Sequence, residues 1–92
     1  MYLAKVIGTV VSTTKDEKLV GNKLLIVQKL SEKLSPIGDS EIAVDTVGAG
    51  TGELVIVSKG SSARYALGGR DTPADACIVG IVDTVEVNQQ NG

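Results

Sequence analysis

Four carboxylates, Asp39, Glu41, Asp45 and Glu53, flank or precede a glycine-rich run, Gly48-Ala49-Gly50-Thr51-Gly52. Two carboxyl groups facing each other across such a turn have the chemistry of an acid/base pair or of a hard-cation site. Their spacing does not match a calcium-binding loop, and acidic residues beside turns ordinarily cap backbone donors or pair with Lys and Arg. The run also invites comparison with phosphate-cradling loops. It is not the dinucleotide fingerprint, it lacks the Lys-Ser/Thr ending of a P-loop, and it precedes a strand pattern rather than a helix. A turn that needs positive φ, or a place where several backbones crowd together, accounts for three glycines more economically.

The chain contains no His, which excludes imidazole base catalysis, His-containing triads and His-ligated metals. The single Cys77, between Ala76 and Ile78 at a strand entrance, reads as a small buried hydrophobe rather than a nucleophile. No catalytic residue, cofactor or metal is therefore expected.

The elements that must position these residues read as strands. Thirteen Val and seven Ile among 92 residues, with no Phe or Trp, call for a core of branched aliphatic side chains suited to pleated sheet. Tyr2 to Ser12 predicts a first strand with Gly8 as a bulge or bend, and Lys23 to Leu30 a second after a polar connection ending in Gly21-Asn22. Residues Ser31 to Ser40, with Pro36 and Gly38, read as a loop before a short strand, Glu41 to Asp45. Glu53 to Lys59 is a further strand. Its apolar run Leu54-Val55-Ile56-Val57 is buried on both faces or against a neighbouring subunit. Ser61 suits the N-cap of a helical turn over residues 62–66, and Cys77 to Val87 reads as a last long strand with Gly80 inside it. The expectation is an all-β chain: a small five-stranded OB-like barrel with one short helical turn, a single domain over residues 1–87 and a flexible tail at 88–92.

A net charge of −2 with both signs interspersed leaves no basic footprint for nucleic acid, and no apolar run has the length to span a bilayer. Nothing at Met1–Val11 has the pattern of a signal peptide, so a cytosolic, soluble protein is expected. OB-like barrels also serve as binding modules for single-stranded nucleic acid or oligosaccharide. Tyr2 and Tyr65 are the only rings available for stacking, and the charge is of the wrong sign.

Three segments carry a resemblance. They are Lys5-Val6-Ile7-Gly8-Thr9-Val10-Val11-Ser12, the stretch from Ala43 through Asp45-Thr46-Val47-Gly48-Ala49-Gly50-Thr51-Gly52 to Glu53, and Gly60-Ser61-Ser62-Ala63-Arg64, with Asp75-Ala76 and Val79 to Asp83 following in order. Together they resemble the EutN/CcmL family of bacterial microcompartment vertex proteins over nearly the whole chain, the pattern from Asp45 to Glu53 being the specific part. The resemblance implies a five-stranded barrel assembled as a homopentamer, a structural protein in the bacterial cytoplasm that closes the five-fold vertices of a carboxysome-like shell tiled by hexameric proteins. It places Gly48, Ala49, Gly50, Thr51, Gly52 and Glu53 near the five-fold axis, around a narrow central pore. It assigns Asp45, Ser61, Ser62, Ala63 and Arg64 to contacts within or between subunits, Arg64 as a partner for a carboxylate. An ordinary hairpin turn remains the other reading of the glycines, and a solvated surface charge the other reading of Arg64. No role is implied for the segments 32–39 and 67–72.

Overall fold

The computed structural model describes residues 1–11, 22–60, 63 and 75–88. Five strands, β1 (Tyr2–Val10), β2 (Lys23–Leu30), β3 (Pro36–Asp45), β4 (Leu54–Lys59) and β5 (Ala76–Ile81), close into a barrel in the order β1-β2-β3-β5-β4. All neighbours are antiparallel except β3 and β5, which meet in a short parallel contact, Val44 to Cys77 and Asp45 to Ile78. The all-β, OB-like barrel expected from the sequence is the observed fold.

Alternation at period two builds the core. Ala4 and Val6, Leu25 and Val27, Val55 and Val57, and Ala76 and Ile78 point inward from successive strands, joined by Ala43 and Ala49. The apolar run of β4 thus divides, Val55 and Val57 inside, Leu54 and Ile56 half-covered outside. With no buried Phe or Trp, the bore is filled by small and branched side chains alone.

Bulges close the barrel by bending its long strands. Gly8 marks one, as expected: Val6 pairs with Val27 and Gly8 with Ile26, leaving Ile7 as the extra residue. The δ1 methyl of Ile26 lies 3.4 Å from where a Gly8 Cβ would stand. A second surrounds Gly80, where Ile56 pairs with Gly80 and Val57 with Ile78, so that Val79 is the extra residue.

Three expectations are corrected. Residues Pro36 to Ser40 belong to β3 rather than to a loop, because Pro36 starts the strand and Gly38, at φ +70°, absorbs the irregularity opposite Lys29. The Gln28 amide straps that bulge by donating to the carbonyls of Ile37 and Gly38, at 3.2 Å each. β1 ends at Val10, with Ser12 outside the described residues. β5 ends at Ile81 instead of Val87, after which one backbone bond, Val82 N–H to the Leu54 carbonyl at 2.8 Å, ties the chain to the barrel. Of the helical turn anticipated over residues 62–66, only Ala63 is described; it is helical and buried.

Truncating Ile78, wholly buried between β3 and β4, should leave a cavity. We expect Ile78→Ala to cost about 2–5 kcal/mol in denaturant unfolding at fixed protein concentration.

Candidate functional site

The segment from Asp45 to Glu53 closes one end of the barrel. Asp45, the last residue of β3, is only 5 % exposed, and its Oδ1 accepts hydrogen bonds from the N–H groups of Val47 (3.0 Å) and Gly48 (3.1 Å). This is the local side-chain-to-backbone bonding by which Asp shapes a turn. Its Oδ2 is buried with no hydrogen-bond donor; the Lys23 ammonium is 3.7 Å away, an ion contact too long to be a hydrogen bond. Lys23 Nζ donates instead to the Ala49 carbonyl at 2.9 Å, so one cation holds both the start and the middle of the loop.

Ala49 inverts the sequence picture of a backbone-only loop. Its methyl is fully buried in the barrel core and plugs this end of the bore. Gly48 and Gly52 have φ of +83° and +92°, which a side chain would strain. The Glu53 carboxylate reaches back to accept from the Gly50 N–H at 2.7 Å, and the Glu53 N–H donates to the Gly50 carbonyl at 3.1 Å. Bonds between Gly52 N–H and the Val6 carbonyl (2.8 Å) and between Val6 N–H and the Glu53 carbonyl (3.0 Å) pin the loop to β1. Gly50 differs from its neighbours. Its φ is not positive, and among the described residues a Cβ there would meet only Glu53 Oε1, at 3.5 Å. Among the described residues of one subunit nothing demands glycine at this position.

Asp45 and Glu53 are thus given to the turn and Glu41 to a cation, Asp39 is exposed, and none of the four is paired with another. Glu41 sits toward the other end of the barrel, where sequence reasoning did not find its partners. The Tyr2 hydroxyl donates to Glu41 Oε2, and Lys59 Nζ donates to Oε1 at 2.5 Å. Lys59 also lies 3.9 Å from Asp75, and the Lys29 ammonium rests over the Tyr2 ring, 5.3 Å from its centre. Burial raises the Glu41 pKa, but hydrogen bonds from Lys59 and Tyr2 and the charges of Lys59 and Lys29 outweigh it and hold the carboxyl below its usual range. The Glu41 hydrogen bond raises Lys59, and burial with Glu41 pushes the Tyr2 phenol up. No local pattern in the sequence points to this meeting, since Tyr2 and Glu41 are 39 residues apart.

Cys77 is buried beneath Thr46, whose hydroxyl donates to the Ile78 carbonyl at 3.0 Å, and burial pushes its thiol up, away from nucleophilic use. Of the residues assigned to subunit contacts, Ala63 is buried, while Ser61, Ser62 and Arg64 lie outside the described residues.

Two outcomes follow. Asp45→Ala should leave two turn N–H groups without their acceptor and cost about 1–3 kcal/mol, read by thermal melting. Glu41, with a folded pKa below its ordinary 4.5, contributes stability above that value that is lost as pH falls through the folded pKa. Glu41 and Lys59 are partly exposed, so the contribution is about 1 kcal/mol or less. In a melting series taken down to about pH 2, Glu41→Gln should therefore show a shallower acid limb than the unmodified chain.

Comparison with known proteins places this geometry. Residues 1–83 match the family described as ethanolamine utilisation protein EutN/carboxysome. The chain is similar to the bacterial microcompartment shell vertex protein GrpN of Rhodospirillum rubrum, 64 % identical over 86 residues that cover 94 % of this chain and 97 % of that one. It is also 55 % identical to the carboxysome shell vertex protein CcmL of Synechocystis, over 95 % of this chain and 87 % of its relative. The solved structure titled GrpN pentameric microcompartment shell protein superposes with a TM-score of 0.85 at 61 % identity, covering 97 % of this chain and all of the other. With its closed five-stranded barrel and its Asp45–Glu53 loop, the chain belongs to the EutN/CcmL family.

Proposed function

We propose that this chain is a structural subunit of a bacterial microcompartment shell that assembles as a homopentamer and closes the five-fold vertices. The observation that carries this reading is similarity at 61 % identity, over nearly the whole length of both chains, to a protein described as a pentameric microcompartment shell protein. A second pentameric shell protein, from the RMM microcompartment, shares the fold with a TM-score of 0.80 at 34 % identity. The subunit is one domain over residues 1–87, and its role is architectural rather than catalytic. Asp45, Glu53, Glu41 and Lys59 are spent on turns and ion pairs, and the Tyr2 ring, a candidate stacking surface, is covered by Lys29 with its hydroxyl committed to Glu41. Its partners are four further copies of itself and the hexameric shell proteins that surround a vertex, not nucleic acid or membrane.

In this reading the Gly48–Glu53 loop faces the five-fold axis. Gly48 and Gly52 are explained inside the subunit by their positive φ, and Ala49 by its place in the core. Gly50 is not explained there, so a requirement for glycine at that position comes from neighbouring copies approaching the axis. Two substitutions separate the explanations. Gly50→Ala should fold with a melting temperature close to that of the parent chain, whereas Gly50→Leu should fold as a subunit yet fail to give closed polyhedral shells when co-produced with hexameric shell proteins and viewed by electron microscopy. Closed shells with Gly50→Leu would remove the loop from the axis.

A further inference from the structure

The five ladders that close the barrel are unequal. β1 pairs with β2 at seven positions, β2 with β3 at seven, β4 with β5 at five and β1 with β4 at four. β3 and β5 meet at only two, Val44 with Cys77 and Asp45 with Ile78, and in the parallel sense, which bonds less well per residue. β3 also gives little to the core. Among the described residues Ala43 is its one member of the buried apolar cluster, where β2 gives Leu25 and Val27 and β4 gives Val55 and Val57. Parting β3 from β5 therefore breaks few backbone bonds and uncovers little apolar surface of β3 itself, and the β2–β3 hairpin can swing with the long β1–β2 ladder as its hinge.

Side chains make up for the short ladder. Beside the paired positions, the Thr46 hydroxyl donates to the Ile78 carbonyl at 3.0 Å. Farther back along β3, about 10 Å before Val44, stands Glu41. Lys59 of β4 donates to its Oε1 at 2.5 Å, and Tyr2 of β1 donates to its Oε2. Tyr2 pairs with Val57 and Lys59 with Ala76, so both donors belong to the β1-β4-β5 side of the barrel. One carboxylate on β3 is thus held from two strands with which β3 shares no ladder. Lys29 of β2, over the Tyr2 ring, and Asp75, 3.9 Å from Lys59, are the other charges of the cluster.

We propose that the β3–β5 seam is where the barrel opens locally, and that Tyr2, Glu41 and Lys59 form the latch that holds it shut. With the latch broken, the β2–β3 hairpin parts from β5 while the β1–β2 and β4–β5 ladders stay whole. The latch is internal to one copy, so it operates in a single subunit and in an assembly alike.

Site-resolved hydrogen exchange of the purified full-length chain at neutral pH tests the latch. The seam is read at the amides of residues 43–46 that do not bond β2, and the reference is residues 24–27 of β2, which lies between two long ladders. In the unmodified chain the seam amides should exchange at least about tenfold faster than the reference. Glu41→Gln removes the latch charge and Tyr2→Phe removes its hydroxyl. Each should quicken seam exchange by about fivefold, the size of effect that a partly exposed pair supports, and leave residues 24–27 within about twofold of the parent. Seam amides as protected as those of β2, or variants that quicken every strand alike, overturn the inference, because the cluster then adds only to global stability. Should either variant fail to fold by circular dichroism, the comparison within the unmodified chain decides the matter by itself.

Discussion

A single buried carboxylate fixes the Asp45–Glu53 loop, the surface on which the proposed axis contact depends. Asp45 ends β3 with one oxygen committed to the N–H groups of Val47 and Gly48 and the other buried near the Lys23 ammonium. A buried charge is tolerated only when neighbouring donors and cations compensate its lost hydration, and here those donors are the backbone of the loop itself. The turn cannot relax without exposing the carboxylate to an environment that does not solvate it. From that anchor the chain runs through Gly48, drops the Ala49 methyl into the core, and returns to β1 through Gly52 and Glu53.

The two ends of the barrel are finished in different ways, and the difference suits a subunit that must present distinct surfaces to its neighbours. One end is closed by a compact loop that buries the Ala49 methyl and exposes Thr46, Val47, Thr51 and the glycines 48 and 52. Toward the other, Tyr2, Lys29, Glu41, Lys59 and Asp75 form a charged cluster drawing on β1, β2, β3, β4 and the approach to β5. The cluster holds strands distant in sequence to one another by side-chain bonds, where the parallel β3–β5 seam has only two paired positions. A cyclic ring of identical subunits needs two different, mutually fitting surfaces on one rigid body, and a closed barrel with unlike ends provides that body.

Much of this was legible in the sequence, for identifiable reasons. Branched residues at alternate positions announced the strands, and Gly8 announced a bulge, because both signals are local. Pro36 and Gly38 misled, since each breaks regular strands in isolation; the Gln28 amide that lets β3 run through them is on a different strand. The last strand misled in the opposite sense, read as running to Val87 although β5 ends at Ile81. Ala49 read as one small residue among glycines, and only the closed barrel shows that its methyl is a plug. The Tyr2–Glu41–Lys59 cluster was invisible because it is made by strand register, which no local pattern encodes. The Gly48–Glu53 loop was singled out through resemblance to a family, and the chain-internal reasons for Gly48 and Gly52 emerged only with their φ angles.

The mass of the native assembly, by native mass spectrometry or light scattering of the purified chain, tests the central claim most directly. The account predicts a closed species of about five times the 9.5 kDa subunit. A stable monomer across the accessible concentration range, or a ring of a different order, would contradict it.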